Sequence, residues 1–238
     1  MASYKVLLMV TSHGNLGFTK EMTGVDLVQL AICYAALDAY DVDVTACSVK
    51  GDMPPIDPLY DLEAEVNDGQ LSVDRGALMK LLASSKRIVQ IDCAEYDAVI
   101  VCGGYGALWD LTCDPDSVTL LDDFYSADKY ICAFGHASGA LIHVTREDDT
   151  SILAGRRVTG YSNGEELAGN RADAIPFFVE DELVRCEALY SKAENNQPHV
   201  EIDDRLITGQ NTASVRCTID ALLVALKSLS IQKACSSP

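Results

Sequence analysis

One segment, residues 129–144, constrains the fold of this chain more than any other. Its sequence, KYICAFGHASGALIHV, is a short apolar run that stops at Gly135-His136 and then continues as an amphipathic segment. This pattern is typical of a buried strand that turns sharply into a helix. In an open α/β sheet such a turn places one residue at the carboxyl edge, where ligands bind and where catalytic nucleophiles are held. In this chain that residue is Gly135.

Length and charge limit the classes of protein to which the chain can belong. With 238 residues, of which 48% are apolar, it is expected to form one large α/β domain with a substantial core. Its net charge of −18 argues against nucleic acid and anionic membranes as partners, because both attract basic patches. No apolar run reaches the length of a membrane span or resembles a signal segment, so we expect a cytoplasmic protein.

The cysteines and glycines give no sign of a metal or cofactor. Nine cysteines are scattered along the chain without the C-x-x-C spacing of zinc sites. We expect most of them to be small buried side chains in a reducing compartment, and we expect no metal site. The first strand is not followed by G-x-G-x-x-G and there is no P-loop, so no cofactor is predicted.

Strand-like and helix-like segments alternate along the chain. Residues 4–10 form an apolar strand, residues 25–37 have helical spacing and residues 42–49 form a second strand, which together predict a βαβ unit. A glycine-rich turn at residues 103–110 leaves backbone N–H groups free to face a ligand. The other predicted elements are strands at residues 97–102, 200–202 and 205–208, and helices at residues 77–83, 180–188 and 212–229.

This alternation predicts a fold class and a domain organisation. A single doubly wound, mostly parallel sheet with helices on both faces fits the order of the elements, with an antiparallel excursion near the end of the chain. We predict one α/β domain over residues 1–231 and a flexible tail at residues 232–238.

Several short motifs, in the same order along nearly the whole chain, resemble those of the ThiJ/PfpI superfamily. They include Pro55-Ile-Asp-Pro58, Gly103-Gly-Tyr-Gly106, Gly135-His136, Thr159-Gly-Tyr-Ser-Asn-Gly-Glu-Glu166, Gln197-Pro-His199 and Leu206-Ile-Thr-Gly-Gln-Asn211. More narrowly, the chain resembles the branch of heat-shock chaperones and cofactor-free glyoxalases (glyoxalase III). The resemblance implies a flavodoxin-like fold, usually in a homodimer. It also implies a site with a cysteine at the elbow, a neighbouring histidine, an acidic partner for that histidine and a glutamate on the first helix.

When the family's site residues are carried over one by one, only some of them are present in this chain. The histidine falls on His136 and its acidic partner on Glu166, so both predicted catalytic groups are present. The elbow cysteine falls on Gly135, which cannot act as a nucleophile, and the glutamate falls on Gln29, which cannot take up a proton as a carboxylate does. The further residues expected to line the substrate site are Gly104, Tyr105, Ala137, Tyr161 and His13.

Each of these residues also has a purely structural interpretation. His136 is either a buried structural histidine or an acid/base group oriented by Glu166, since a carboxylate on one imidazole nitrogen fixes the tautomer. Gln29 is either a remnant of an inactive site or a neutral hydrogen-bonding group for a substrate carbonyl or hydroxyl. Ser138 lies three residues past the elbow and is not expected to replace the cysteine.

Three functions remain open from the sequence. The first is an enzyme on a small carbonyl metabolite, of lyase, isomerase, hydratase or cyclase type, in which His136 and Glu166 exchange protons. The second is an inactive protein that binds a ligand in the old cleft, and the third is a holdase-like stress protein. A thiol-dependent glyoxalase is not expected, because a hemithioacetal intermediate requires sulfur at the elbow.

Overall fold

A computed structural model describes residues 4–60 and 73–236, with side chains up to residue 229. The strands are β1 (Lys5–Val10), β2 (Asp43–Ser48), β3 (Lys86–Arg87), β4 (Ala98–Val101), β5 (Tyr130–Phe134), β6 (Arg157–Val158), β7 (Leu189–Tyr190), β8 (Val200–Asp203) and β9 (Leu206–Gly209). The α-helices are α1 (Leu27–Asp38), α2 (Arg75–Ala83), α3 (Pro115–Ser126), α4 (Asn163–Ala168), α5 (Val179–Arg185) and α6 (Val215–Ser236).

Within the described residues, seven strands form one sheet in the order β3-β2-β1-β4-β5-β9-β8. All neighbouring strands in it are parallel except β8 and β9, which pair antiparallel. The predicted doubly wound sheet and the antiparallel pair near the end are therefore confirmed. Strands β6 and β7 form a separate parallel pair.

The core lies on both faces of the sheet, and the alternation of side chains along β1 shows why. Leu7 and Met9 pack on one face with α3 and α5, whereas Val6, Leu8 and Val10 pack on the other face with α1, α2 and α6. All five side chains are fully buried. A strand covered on both faces must be apolar throughout, as this one is.

The edges of the sheet are β3 and β8. Both residues of β3, Lys86 and Arg87, are exposed. At the other edge the guanidinium of Arg157 donates a hydrogen bond to the carbonyl oxygen of Ile202 (2.7 Å).

Several elements differ from the prediction. The segment after the elbow is a 3-10 helix, Gly135–Leu141, and the glycine-rich turn also leads into a 3-10 helix, Tyr105–Leu108, rather than into α-helices. Helix α3 was not predicted, although Asp114 caps it and Pro115 occupies its first turn, which is a recognised start signal. Helix α6 begins at Val215 and continues to Ser236, beyond the predicted end at residue 229. Among the described helices, none has both the length and the apolar character needed to cross a bilayer.

Candidate functional site

The turn between β5 and the following 3-10 helix is a tight elbow centred on Gly135. Its φ angle is +60°, in the left-handed region that side chains disfavour. The Gly135 carbonyl accepts a hydrogen bond from the backbone N–H of Tyr161 (3.2 Å), which fixes the turn against the loop before α4. A Cβ atom on Gly135 would lie 3.4 Å from Nε2 of Gln29, so the Gln29 amide faces the elbow across a space about the size of one methyl group.

His136 and Glu166 are in direct contact beside this elbow. Nε2 of His136 lies 2.8 Å from Oε2 of Glu166, and the two residues are only 1% and 2% exposed. Nδ1 of His136 and Oε1 of Glu166 are buried and have no partner among the described residues. With the carboxylate accepting the Nε2–H proton, the free lone pair of the imidazole is on Nδ1.

Two tyrosines contact the imidazole ring. The ring centroids of Tyr105 and Tyr161 each lie 4.1 Å from that of His136. Burial and the charge of Glu166 raise the pKa of both phenols above the ordinary value of 10.0, so both hydroxyls remain protonated donors at neutral pH.

Gln29 forms a second wall of the site, from the first turn of α1. Its Nε2 donates to Oγ1 of Thr212 (3.0 Å), while its Oε1 is buried without a partner in the part of the chain that the structure describes. That oxygen would lie 2.1 Å from a Cβ atom on Gly103, so the amide has this position only because Gly103 has no side chain.

The glycine-rich turn brings Tyr105 into the site. Gly104 has a φ of +121°, and a Cβ there would lie 2.3 Å from the carbonyl oxygen of Gly24, so the backbones of the two loops touch. Ala137 is fully buried and packs in the apolar core, where it supports the elbow from behind. Ser138 is also fully buried, and its Cβ packs against Gly160.

His13 is held by other residues. Its ring stacks on Trp109 with the centroids 4.9 Å apart and the planes inclined by 9°. Its Nε2 is 2.6 Å from the carbonyl oxygen of Asn15. The structure therefore brings His136, Glu166, Gln29, Tyr105 and Tyr161 together around Gly135, and places His13 against Trp109.

Three residues that the sequence did not indicate also belong to this region. The guanidinium of Arg171 lies 5.1 Å from the centre of the Tyr105 ring and donates to the fully buried carboxylate of Asp57 (3.0 Å). Burial raises the pKa of the Tyr60 phenol, and the charges of Asp26, Tyr105 and Tyr161 add to the shift. Arg171 and Tyr60 are partly exposed. The third residue is Asp26, which caps α1 by accepting from the N–H of Gln29 (3.0 Å).

A cavity of about 520 Å³ lies elsewhere, at the amino ends of β5 and β9. Two of its basic side chains form ion pairs, Arg156 with Asp203 (2.6 Å) and Arg205 with Asp128 (2.9 Å). The other two, Lys129 and Arg146, donate to backbone carbonyl oxygens. Within the described ranges, no group of three or more His, Cys, Asp and Glu side chains is arranged to hold a metal ion.

Comparison with known proteins identifies the family. The model of the DJ-1/PfpI family matches residues 18–216, which include every residue of the site around Gly135. This chain belongs to the DJ-1/PfpI family. The resemblance to the ThiJ/PfpI superfamily and the flavodoxin-like α/β fold predicted from it are thereby confirmed.

Individual DJ-1/PfpI relatives agree with this assignment. The bovine glutamine amidotransferase-like class 1 domain-containing protein 1 is 33% identical over 159 residues, which cover 67% of this chain and 72% of that protein. A putative glutathione-independent glyoxalase from Schizosaccharomyces pombe is 27% identical over 221 residues, 89% of this chain and 88% of that protein. The crystal structure of the 24 kDa rapid encystment protein of Francisella tularensis superposes with a TM-score of 0.84 at 33% identity, and covers 92% of this chain and 96% of that one.

Proposed function

We propose that this protein is an enzyme that moves a proton on a small carbonyl compound, with His136 as the base and Glu166 as the group that orients it. The observation that carries the proposal is the 2.8 Å contact between Nε2 of His136 and Oε2 of Glu166. That contact fixes the imidazole with Nδ1 buried and unpartnered among the described residues, available to a ligand.

The reaction class follows from the groups around that nitrogen. A base that removes a proton from the carbon next to a carbonyl needs a donor for the carbonyl oxygen, which gains negative charge as the proton leaves. The phenols of Tyr105 and Tyr161 are protonated donors in contact with the imidazole ring. Proton removal from an α-hydroxy carbonyl compound then gives an enediol, and return of the proton to the other carbon completes an isomerisation without any change in oxidation state overall.

Gly135 supports a reaction without a covalent enzyme intermediate. The family resemblance predicts a cysteine at the elbow, where this chain has a glycine with a φ of +60°. No sulfur can therefore attack the substrate from that position. The space in front of Gly135, bordered by the Gln29 amide, is instead proposed to receive part of the substrate.

The relatives support the substrate class. The fission yeast relative is named a putative glutathione-independent glyoxalase, which points to small carbonyl compounds as ligands of this cleft. We propose that this chain shares the ligand class and differs in the reaction, because it keeps the proton-transfer pair and lacks the thiol.

A ligand-binding protein without turnover is a second candidate. The nearly complete burial of His136 favours it, because a substrate has little access to a base that is 1% exposed and contacts two aromatic rings. Tyr161 is partly exposed and its ring contacts His136, and we propose that it moves to admit a ligand.

One experiment separates these functions. The protein is incubated in D₂O with dihydroxyacetone, hydroxyacetone, glyceraldehyde or methylglyoxal, and the loss of α-proton signals is followed by proton NMR. We expect exchange above the buffer rate with at least one compound, and its loss in His136→Ala. His143→Ala is the matched control, since His143 is exposed and outside the site. Binding of these compounds without exchange would favour the ligand-binding function, and neither exchange nor binding would overturn both proposals.

A further inference from the structure

A second carboxyl group lies in the same cleft, at the start of α1. Asp26 is fully buried, and its Oδ1 accepts a hydrogen bond from the backbone N–H of Gln29 (3.0 Å), which caps the helix. Its other oxygen, Oδ2, is also buried and has no partner among the described residues. An unpartnered carboxyl oxygen in a protein interior is costly and requires an explanation.

Capping alone does not explain this residue. Asp74 caps α2 in the same way, with its Oδ1 accepting from the N–H of Ala77 (3.0 Å), but it does so in solvent, where the second oxygen is hydrated. Serine or asparagine at position 26 would cap α1 without burying an ionisable group. The chain therefore has a carboxyl group at a position where capping the helix requires only a hydrogen-bond acceptor.

Backbone contacts place Asp26 next to the proposed site. Its N–H donates to the carbonyl oxygen of Gly103 (3.2 Å), and it caps the helix at Gln29, whose amide faces Gly135. Burial raises the pKa of the Tyr161 phenol, and the charge of Asp26 is among those that add to the shift. The Tyr161 ring contacts His136, so the charge of Asp26 acts on a tyrosine that lies against the proposed base. The Gln29 side chain, Tyr60 and Asp57 also interact with Asp26, and the charge of Asp57 is paired with Arg171.

The cap also determines which oxygen of Asp26 carries a proton. Oδ1 accepts the N–H of Gln29 in either charge state, so the acid proton resides on Oδ2. Burial raises the pKa of Asp26 to about 7, against the opposing effect of the helix N–H groups. The group is thus divided between acid and carboxylate near neutral pH, the condition under which a side chain transfers protons in both directions.

We propose that Asp26 is the second proton-transfer residue of the site, with Oδ2 donating to the carbonyl oxygen of the substrate while Nδ1 of His136 accepts the α-proton. The products of this step are an enediol, an aspartate and an imidazolium. Returning the proton from His136 to the other carbon and a hydroxyl proton to Asp26 restores both groups. The inference rests on the proposed function and adds to it a residue on the first helix.

The test is Asp26→Asn, which keeps an oxygen to cap α1 and the side-chain volume but cannot supply the acid proton. Asp74→Asn is the matched control, because it makes the same change at an exposed cap. Exchange of the α-protons of dihydroxyacetone in D₂O is measured from pH 5 to 9 for the wild type and both variants. We expect Asp26→Asn to lower the rate by roughly 10²- to 10⁴-fold and to abolish the limb of the pH profile near pH 7, with Asp74→Asn unchanged.

A second measurement does not depend on turnover. With ¹³C-labelled aspartate, the carboxyl resonance that disappears in Asp26→Asn is expected to titrate near pH 7. Titration of that resonance below about pH 5, as for an ordinary carboxyl, would overturn the inference. Full exchange activity in Asp26→Asn, with activity lost in His136→Ala, would overturn it and leave the proposed function standing. Absence of α-proton exchange in the wild-type protein would overturn both the inference on Asp26 and the proposed function.

Discussion

The carboxylates of Glu165 and Glu166 are adjacent in the sequence and both buried, but their surroundings are opposite. Glu165 accepts hydrogen bonds from the N–H of Asn196 (2.8 Å) and from the amides of Asn211 (2.7 Å) and Gln210 (3.0 Å). Burial opposes ionisation of Glu165, but these bonds outweigh it and lower the pKa of the carboxyl. Glu166 has His136 as its hydrogen-bond partner, and its Oε1 is unpartnered among the described residues.

We therefore expect the two glutamates to respond differently to substitution by glutamine. Glu166→Gln removes the charge that orients His136, so α-proton exchange should fall by roughly 10²- to 10⁴-fold while the melting temperature changes little. Glu165→Gln turns a group that only accepts into one that also donates, towards two side-chain amides and a backbone N–H, so the melting temperature should fall. Calorimetry gives the melting temperature of each folded variant, and NMR gives its rate of α-proton exchange. Equal exchange rates in the wild type and Glu166→Gln would contradict the proposed pair of His136 and Glu166.

Gly135→Ala tests whether the space in front of the elbow is used. The new Cβ would lie 3.4 Å from Nε2 of Gln29, an ordinary contact, so the variant should fold. Its left-handed backbone makes the side chain unfavourable by about 1–2 kcal/mol, which corresponds to a decrease of roughly 2–8 °C in melting temperature. We expect exchange activity to fall further than this stability loss explains. Activity equal to that of the wild type would show that substrate does not occupy this space.

Thiol reagents should leave the reaction unchanged. Burial raises the pKa of the Cys47, Cys102 and Cys132 thiols, so these side chains are poor nucleophiles. Among the described cysteines, Cys113 and Cys217 are exposed and should be alkylated first by iodoacetamide. Mass spectrometry gives the extent of labelling, and α-proton exchange is measured on the same sample. A rate that decreases in step with labelling would implicate a thiol.

Methylglyoxal provides the complementary test. Because no sulfur is available at Gly135, we expect no conversion of methylglyoxal to lactate above background. Gly135→Cys should gain a thiol that reacts with iodoacetamide, yet should not accelerate the native proton exchange, since its side chain fills space assigned to substrate. Lactate production by the wild-type protein, detected enzymatically, would show that the chemistry is of the glyoxalase type after all.

Stability as a function of pH gives an independent check on Asp26. Its pKa is raised from 3.8 to about 7, so the folded state binds a proton that the unfolded state has released between these pH values. The contribution of this group to stability is therefore fully present below about pH 3.8 and is lost as the pH rises to about 7. Between these values the free energy of unfolding decreases by about 1.4 kcal/mol per pH unit. Asp26→Asn has no carboxyl group to ionise, so it does not lose this stability as the pH rises. The difference between its free energy of unfolding and that of the wild type should therefore increase from pH 4 to pH 7. Urea titrations across this range measure it, and parallel curves for the two proteins would contradict the assigned shift.

The sequence predicted the frame of the molecule better than the details of its site. Unbroken apolar runs were enough to place β1, β4 and β5, because a strand that is buried on both faces is apolar throughout. Glycines soon after β4 and β5 marked where these two strands end. The 3-10 helix after Gly135 was missed because an amphipathic pattern over seven residues does not distinguish an α-helix from a tighter turn.

Site residues far apart in the sequence were harder to predict. His136 and Glu166 followed from the family resemblance, and their 2.8 Å contact agrees with the pairing expected from it. Asp26 was missed because an aspartate before a helix looks like any other cap, and only its burial distinguishes it from Asp74. Arg171 was missed because its partner, Asp57, is 114 positions away and no local pattern connects them.

The ends of the sheet have a consequence for self-association. An incoming strand at β3 would meet the charged side chains of Lys86 and Arg87 on an edge only two residues long, and at β8 the carbonyl of Ile202 is already bonded to Arg157. Short edges with charged side chains resist the addition of further strands. We therefore expect the homodimer implied by the family resemblance to form through helix and loop surfaces, with the sheets of the two subunits remaining separate.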